Sequence, residues 1–157
     1  MWLALACLLL GLGLATLIQE RRYAARSAAF QATAAHYQHF LRQVIDANPH
    51  LIFVKDWEGR YVLANCSLAE FHGTAVESIL GKRGTDFGLK QEEIDRFLRD
   101  DREVISSQQP RFIAEEAATC SSTGATRWFQ TVKVPLISSD GSARQVLGVA
   151  TDITERK

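Results

Sequence analysis

The chain has 157 residues, of which 46% are hydrophobic, so it is long enough for one domain with a real core and an additional terminal segment. Its formal net charge is zero, and no long-range field favours nucleic acid or an anionic surface as a partner. Its three cysteines, Cys7, Cys66 and Cys120, form no spaced pair typical of a metal clip or a disulfide framework.

The N-terminal segment differs sharply from the rest of the chain. Residues 2–18 contain no charged side chain, and about 17 apolar residues are the lower limit for crossing a bilayer. Arg21, Arg22 and Arg26 follow directly, and such residues mark the cytoplasmic side. The pattern predicts that residues 1–19 are a single-pass transmembrane helix in the inner (cytoplasmic) membrane, with the rest of the chain in the cytoplasm. A signal peptide is the alternative, but this chain lacks the positively charged segment with which signal peptides begin.

Residues 20–47 contain no glycine or proline, which predicts one continuous linker helix. This helix carries an apolar stripe with heptad spacing, which we call the seam: Tyr23, Phe30, Ala34, Tyr37, Leu41 and Val44. The seam favours a parallel homodimer, and the alternative is that it packs on the following domain. Asn48 precedes Pro49 and ends the helix, because the residue before proline is pushed out of the α region.

The remaining chain alternates strand and helix signals. Strands are predicted over residues 51–56, 61–64, 111–119, 127–137 and 145–153. Short helices are predicted over residues 67–71 and 75–80, and a loop over residues 82–90. A longer amphipathic helix is predicted over residues 91–106, with its apolar residues on one side and its Glu, Asp and Arg residues on the other, toward water. This order implies an α+β fold with one antiparallel sheet.

Four stretches in this order resemble a PAS domain, the sensory module of many bacterial signalling proteins. They are residues 54–65, 79–87, 127–135 and 148–156, the last with its Asp-Ile-Thr-Glu-Arg ending. The resemblance covers residues 48–153 and implies a five-stranded sheet curled around a small pocket, with helices covering its concave side. It also implies a module that binds a small ligand or forms dimers and regulates an attached output domain.

The resemblance implies that this chain is the front part of a larger membrane-anchored signalling protein of the kind found in two-component signal transduction; a fragment of a sensor histidine kinase or of a diguanylate cyclase is one alternative. Residues 154–157 would then open a linker to an output domain beyond Lys157. A stand-alone adaptor that pairs with other PAS domains is another alternative. The chain shows no nucleophile with its base and orienting group and no phosphate-binding glycine loop, so it is not expected to be an enzyme.

No cofactor is assigned from the residues. Flavin photosensors of this superfamily carry a reactive cysteine after the second short helix, whereas Cys66 directly follows a strand. Haem-binding members usually ligate iron through a histidine on the long helix, and residues 91–106 contain none. His36 and His39 lie one helical turn apart but lack a cysteine or acidic partner, so no metal site is expected. His72 is expected at the surface or at a helix end.

If the resemblance sets the faces of the strands, seven residues point into the pocket: Phe53, Lys55, Phe129, Thr131, Lys133, Gly148 and Ala150. The alternate residues of the fourth strand form an outward row that is too apolar for open water, so the linker helix or a second subunit is expected to cover it. Two lysines beside a small cavity favour an anionic ligand. Alternatively, both ammonium groups reach the rim or pair with Glu115 and Glu116.

Four polar residues stand at the ends of strands. Asn65 is placed to cap the helix that follows it, and Asp56 to stabilise the turn after the first strand. Asp152 and Thr154 stand between the last strand and the outgoing segment, where the Asp152 carboxylate can accept hydrogen bonds from the first amides. The resemblance assigns Asp152 and Thr154 a role in signal transfer.

Overall fold

The computed structural model describes the backbone of residues 2–157 and the side chains of residues 19–157. The chain divides into two compact units, residues 1–43 and residues 44–157. The first unit consists of helix α1, which runs from Trp2 to Asp46 and so enters the second unit with its last residues.

Helix α1 agrees with the predicted linker helix and ends one residue earlier than expected. The seam residues are exposed on it, with Tyr23 79% and Phe30 76% exposed. The predicted transmembrane segment, residues 1–19, lies outside the part of the chain whose side chains are described, apart from its last residue. Among the described residues, no helix has the length and apolar character needed to span a membrane.

Five strands form one antiparallel sheet in the second unit. They are β1 (Leu51–Asp56), β2 (Tyr61–Ala64), β3 (Arg111–Thr119), β4 (Thr126–Ile137) and β5 (Ala143–Asp152). Their order across the sheet is β2-β1-β5-β4-β3, so the last strand lies in the centre, between β1 and β4. The predicted α+β fold with a five-stranded antiparallel sheet is confirmed.

Three helices follow β2: α2 (Cys66–His72), α3 (Val76–Ile79) and α4 (Gln91–Ser107). A short 3-10 turn at Gly84–Phe87 lies within the predicted loop, and a second one at Thr154–Arg156 follows β5. Helix α4 packs on β4 and β5, and α2 packs on β1. The helices therefore cover the face of the sheet that we call the inner face.

The hydrophobic core lies between this inner face and the helices. One cluster joins Phe53 and Tyr61 of the first hairpin to Leu68 of α2 and Ile79 of α3. A second cluster contains Phe71, Phe129 and Ala150, and a third joins Val104 and Ile105 of α4 to Val146 of β5. Burial of this apolar surface, at roughly 25 cal/mol per Å², holds α2 and α4 against the sheet.

The opposite face of the sheet carries the predicted outward row of β4, formed by Trp128, Gln130, Val132 and Val134. Val132 is 40% exposed and Phe112 of β3 is 61% exposed. The other three members of the row are half-buried. That a helix or a second subunit covers this face stays a prediction.

Candidate functional site

The inner face of the sheet is formed by alternate residues of β1, β4 and β5. The structure places all seven residues that were assigned to the pocket in buried positions on these strands: Phe53, Lys55, Phe129, Thr131, Lys133, Gly148 and Ala150. Five of the seven line one cavity, and they are Phe53, Lys55, Phe129, Lys133 and Ala150. Thr131 and Gly148 lie beside it without lining it.

Gly148 makes room for the ring of Phe53. The two residues lie opposite each other in the pairing of β1 with β5, and a Cβ atom at position 148 would be 2.2 Å from Cζ of Phe53. A larger residue at position 148 would therefore displace this ring or bend the central strand. Gly148 thus allows the Phe53 ring to lie where it forms part of the cavity wall.

The two lysines of the inner face meet one carboxylate. Nζ of Lys133 lies 2.6 Å from Oδ1 of Asp101, and Nζ of Lys55 lies 3.5 Å from Oδ2 of the same side chain. Asp101 belongs to α4 and is 1% exposed. The expectation that the lysines reach the rim or pair with Glu115 and Glu116 is wrong. The acid that neutralises them comes from the covering helix.

Asp101 could have been found from helical spacing. It stands four residues after Phe97 and three before Val104, so it shares their face of α4. The amphipathic pattern had placed every aspartate of this helix toward water, and that assignment is wrong for Asp101. The carboxylate is buried because two ammonium groups compensate the cost of desolvating it.

Aromatic rings surround the ammonium group of Lys55. Its Nζ lies 4.9 Å from the ring centroid of Phe53, 5.0 Å from that of Tyr61 and 5.7 Å from that of Phe97, within the range of cation–π attraction. Burial lowers the pKa of Lys55, but Tyr61 and Asp101 raise it, and the net direction is upward. Lys55 therefore stays protonated inside the domain.

His72 is the last residue of α2, so it lies at a helix end, one of its two expected places, but it is buried and not at the surface. It is 6% exposed, and its ring stacks on Phe87 with centroids 4.4 Å apart. Its Nε2 lies 3.3 Å from the hydroxyl of Tyr61, and its Nδ1 lies 3.1 Å from Oγ of Ser121. Burial and the charge of Lys55 lower the pKa of His72 to about 4, so this imidazole is neutral at neutral pH.

The inner cavity has a volume of about 50 Å³. Aromatic and aliphatic side chains form most of its wall, with Tyr61 and His72 among them, and the charged groups that line it are Lys55, Lys133 and Glu116. A larger space of about 160 Å³ lies next to it and shares Lys55, Tyr61, Leu89 and Phe97 as lining. The two spaces therefore share part of their wall, including Phe97 of α4.

Asn65 and Asp56 occupy the capping positions assigned to them. Oδ1 of Asn65 accepts hydrogen bonds from the amides of Leu68 and Ile52, at 3.1 and 3.0 Å. Its amide group donates to three backbone carbonyls between residues 45 and 50. Oδ1 of Asp56 accepts from the amide of Arg60 at 2.8 Å. Both side chains are therefore bound by backbone groups.

The C-terminal exit is a compact hydrogen-bonded junction. Oδ1 of Asp152 accepts from the amide of Thr154 at 2.9 Å and from its hydroxyl at 2.6 Å. The Thr154 hydroxyl oxygen accepts in turn from the amide of Trp128 at 3.0 Å, and the Ile153 amide donates to the Trp128 carbonyl at 2.8 Å. The exit segment is thus attached to β4 as well as to β5.

The electrostatics of the exit favour the ionised form of Asp152. Partial burial raises its pKa, but the hydrogen bonds from Thr154 and the nearby charge of Arg127 outweigh that effect and lower it. Arg127 Nη1 lies 3.4 Å from Oδ2 of Asp152. The carboxylate therefore holds both partners across the neutral range.

Among the described side chains, no group of three or more His, Cys, Asp and Glu residues is arranged to hold a metal ion. Cys66 is exposed at the start of α2, and Cys120 is buried beside Phe71, whose carbonyl accepts from its thiol at 3.3 Å. Neither cysteine lines the inner cavity.

Comparison with known proteins identifies the relatives of this chain. The family model described as "PAS fold" matches residues 45–157. The methanogenesis regulatory histidine kinase FilI of Methanothrix harundinacea is 32% identical over 116 residues, which are 74% of this chain and 13% of the kinase. A diguanylate cyclase of Vibrio cholerae is 31% identical over 105 residues, which are 66% of this chain and 32% of the cyclase.

Among solved structures, the PAS domain of BvgS from Bordetella pertussis superposes with a TM-score of 0.52 and 28% identity. The match covers 76% of this chain and 88% of that domain. The chain spans about one eighth of the length of the kinase relative and about one third of the cyclase relative.

Proposed function

The chain belongs to the PAS family, and from this premise we propose that it is a sensory and dimerisation module. A small ligand in the inner cavity changes the strand pair β4–β5, and this pair passes the change to the exit at Asp152 and Thr154. The chain itself catalyses nothing in this proposal. Enzymatic output, such as the activities that give the kinase and cyclase relatives their names, belongs to a further domain.

One observation carries the proposal: the cavity and the exit share the same two strands. Phe129 and Lys133 of β4 and Ala150 of β5 line the cavity, and Phe129 is paired directly with Asp152. One residue from Phe129, the amide of Trp128 donates to Thr154. A shift of β4 against β5 at the cavity therefore has only a few residues of hydrogen-bonded sheet to cross before it reaches the exit.

The relay is tested by fusing a diguanylate cyclase domain after Lys157 and replacing Asp152 with Ala. This change removes the acceptor for both hydrogen bonds from Thr154, so cyclase output should change several-fold, while the domain should lose only about 1 kcal/mol of stability, as expected for a cap. Cyclase activity per folded molecule and thermal melting are the two measurements.

Asp140→Ala is the matched control. Asp140 accepts from the amide and hydroxyl of Ser142 in the same way, but it stands in the turn between β4 and β5, away from the exit. Its replacement should leave output unchanged. Equal output from the Asp152 variant and wild type, with only stability reduced, would leave Asp152 a structural cap and contradict the relay.

We also propose, from the sequence alone, that residues 1–19 anchor the chain in the inner membrane with the PAS domain in the cytoplasm. The uncharged run at residues 2–18 and the three arginines that follow it support this orientation. Protease added to spheroplasts should then leave the PAS domain intact. Digestion of the domain from outside would contradict the proposed topology.

A further inference from the structure

Among the described residues, one buried carboxylate oxygen has no hydrogen-bond donor. Glu116 of β3 is 9% exposed and lines the inner cavity. Its Oε2 accepts from the hydroxyl of Thr131 at 2.9 Å, whereas its Oε1 is buried with no hydrogen-bond partner among the described residues. An unsatisfied buried acceptor is costly, more so when it is charged. The cavity therefore presents a strong acceptor to whatever fills it.

The same cavity presents an under-used donor. The ammonium group of Lys55 carries three protons, and its hydrogen bond among the described residues is the 3.5 Å contact with Asp101. Lys133 makes the much shorter contact with that carboxylate, at 2.6 Å. At 3.5 Å the bond of Lys55 is weak, so its protons remain available to an acceptor in the cavity.

The charged groups that line the inner cavity balance once Asp101, the partner of both lysines, is counted. Lys55 and Lys133 supply two positive charges, and Asp101 and Glu116 supply two negative ones. A charged ligand would leave an uncompensated charge among buried groups, and burying such a charge is unfavourable. The anionic ligand expected from the two lysines is thus disfavoured, because Asp101 and Glu116 already neutralise their charges.

The volume limits the part of a ligand that enters. A water needs roughly 10–15 Å³ of such a cavity, so 50 Å³ corresponds to a group of about four non-hydrogen atoms. The rings of Phe53, Phe97 and Phe129 favour a planar group. A larger remainder of the molecule can lie in the neighbouring 160 Å³ space.

We propose that the inner cavity binds the amide end of a small uncharged molecule. The amide N–H donates to Oε1 of Glu116, and the amide carbonyl accepts from the ammonium group of Lys55. This assignment rests on the proposed ligand-sensing function and gives it a ligand class.

Four planar molecules of the same size test the assignment: acetamide, acetone, acetate and acetamidinium. Only acetamide is uncharged and also donates a hydrogen bond. Two-dimensional NMR titrations of the full chain at matched ionic strength should show acetamide binding about tenfold more tightly than acetone, because acetone lacks the bond to Glu116. Acetate and acetamidinium should bind more weakly than acetamide.

The variant Glu116→Gln sharpens the test. It retains an oxygen for Thr131 but removes one negative charge, so the cavity becomes positive and acetate should overtake acetamide. Glu115→Gln is the matched control, because Glu115 is the neighbouring residue and forms an exposed ion pair with Lys157. The control should keep the wild-type order of affinities.

Tighter binding of acetate or acetamidinium than of acetamide to the wild-type chain would overturn the amide assignment. So would equal binding of acetamide and acetone, or no shift of cavity resonances with any of the four. The cyclase fusion that tests the relay uses no added ligand. Failure of the ligand class and failure of the sensory function are therefore distinguishable.

Discussion

At the scale of single residues, the inner face is organised by one acid that the sequence argument placed in solvent. Strand alternation, with the faces set by the family resemblance, correctly gave Lys55 and Lys133 as inner-face residues. Strand alternation could not predict their partner Asp101, because an aspartate on a charged helix is usually exposed. Helical spacing from Phe97 carried the missing signal. That spacing, together with the need of two buried ammonium groups for a counter-charge, would have placed Asp101 on the inner face.

His72 gives a pH prediction at the same scale. Its pKa is lowered from 6.5 to about 4 in the folded domain, so the unfolded chain binds more protons between these values. The free energy of unfolding should therefore fall as pH decreases from 6.5 toward 4, by about 3 kcal/mol for the complete shift. Urea unfolding at pH 6.5 and pH 5 would measure the first part of this loss.

The variant His72→Phe isolates the contribution of His72. Phenylalanine can keep the stacking on Phe87 but cannot be protonated, so the loss of stability between pH 6.5 and pH 5 should shrink markedly. His36→Gln, on the exposed part of α1, should keep the wild-type slope. An unchanged slope in the His72 variant would show that this imidazole does not titrate with folding.

At the scale of elements, strands and the long helix were predictable to within about two residues, because their periodicities differ clearly. Helix α1 runs through residue 19 without a break, so its division into a transmembrane part and a linker part stays a prediction. A helix can keep the same backbone geometry in a membrane and in water, so its path does not mark where a membrane would end. The 3-10 turn at Gly84–Phe87 also carried no periodic signal, since it is only one turn long.

The seam of α1 gives a prediction for this scale. Phe30 and Leu41 are 76% and 60% exposed in the single chain, as expected of a surface that a second copy covers. Replacing both with Asp would place charges in the seam and should weaken dimerisation of residues 20–157 at least about a hundredfold. Sedimentation over a range of concentrations would measure the change.

Gln31→Asp with Gln38→Asp adds the same charges outside the seam and should leave the dimer intact. Both glutamines are exposed on the same helix. If the seam variant stays as dimeric as this control, the seam is not the interface. The apolar outer face of the sheet would then be the remaining candidate.

At the scale of the whole domain, the fold places the last strand at the centre of the sheet, beside the cavity and in line with the exit. Family resemblance, carried by four short stretches, predicted the five-stranded sheet and its covering helices but not the order of the strands. It was not sufficient to predict the charge balance of the cavity, because that depends on which residue of α4 faces Lys55. The resemblance therefore predicted the architecture, whereas individual side chains determine which charges line the cavity.

The claim that the cavity and the exit are coupled is tested most directly by amide hydrogen exchange at Ile153. This amide donates to the Trp128 carbonyl at the exit, while Phe97 lines the cavity from α4. Phe97→Leu should change the exchange rate of the Ile153 amide several-fold more than that of the Val146 amide in the core. Phe112→Leu, on the exposed outer face, is the control and should leave the exchange rate at Ile153 unchanged. If the ratio of the exchange rates at Ile153 and Val146 is the same in the wild type and in both variants, the coupling is contradicted.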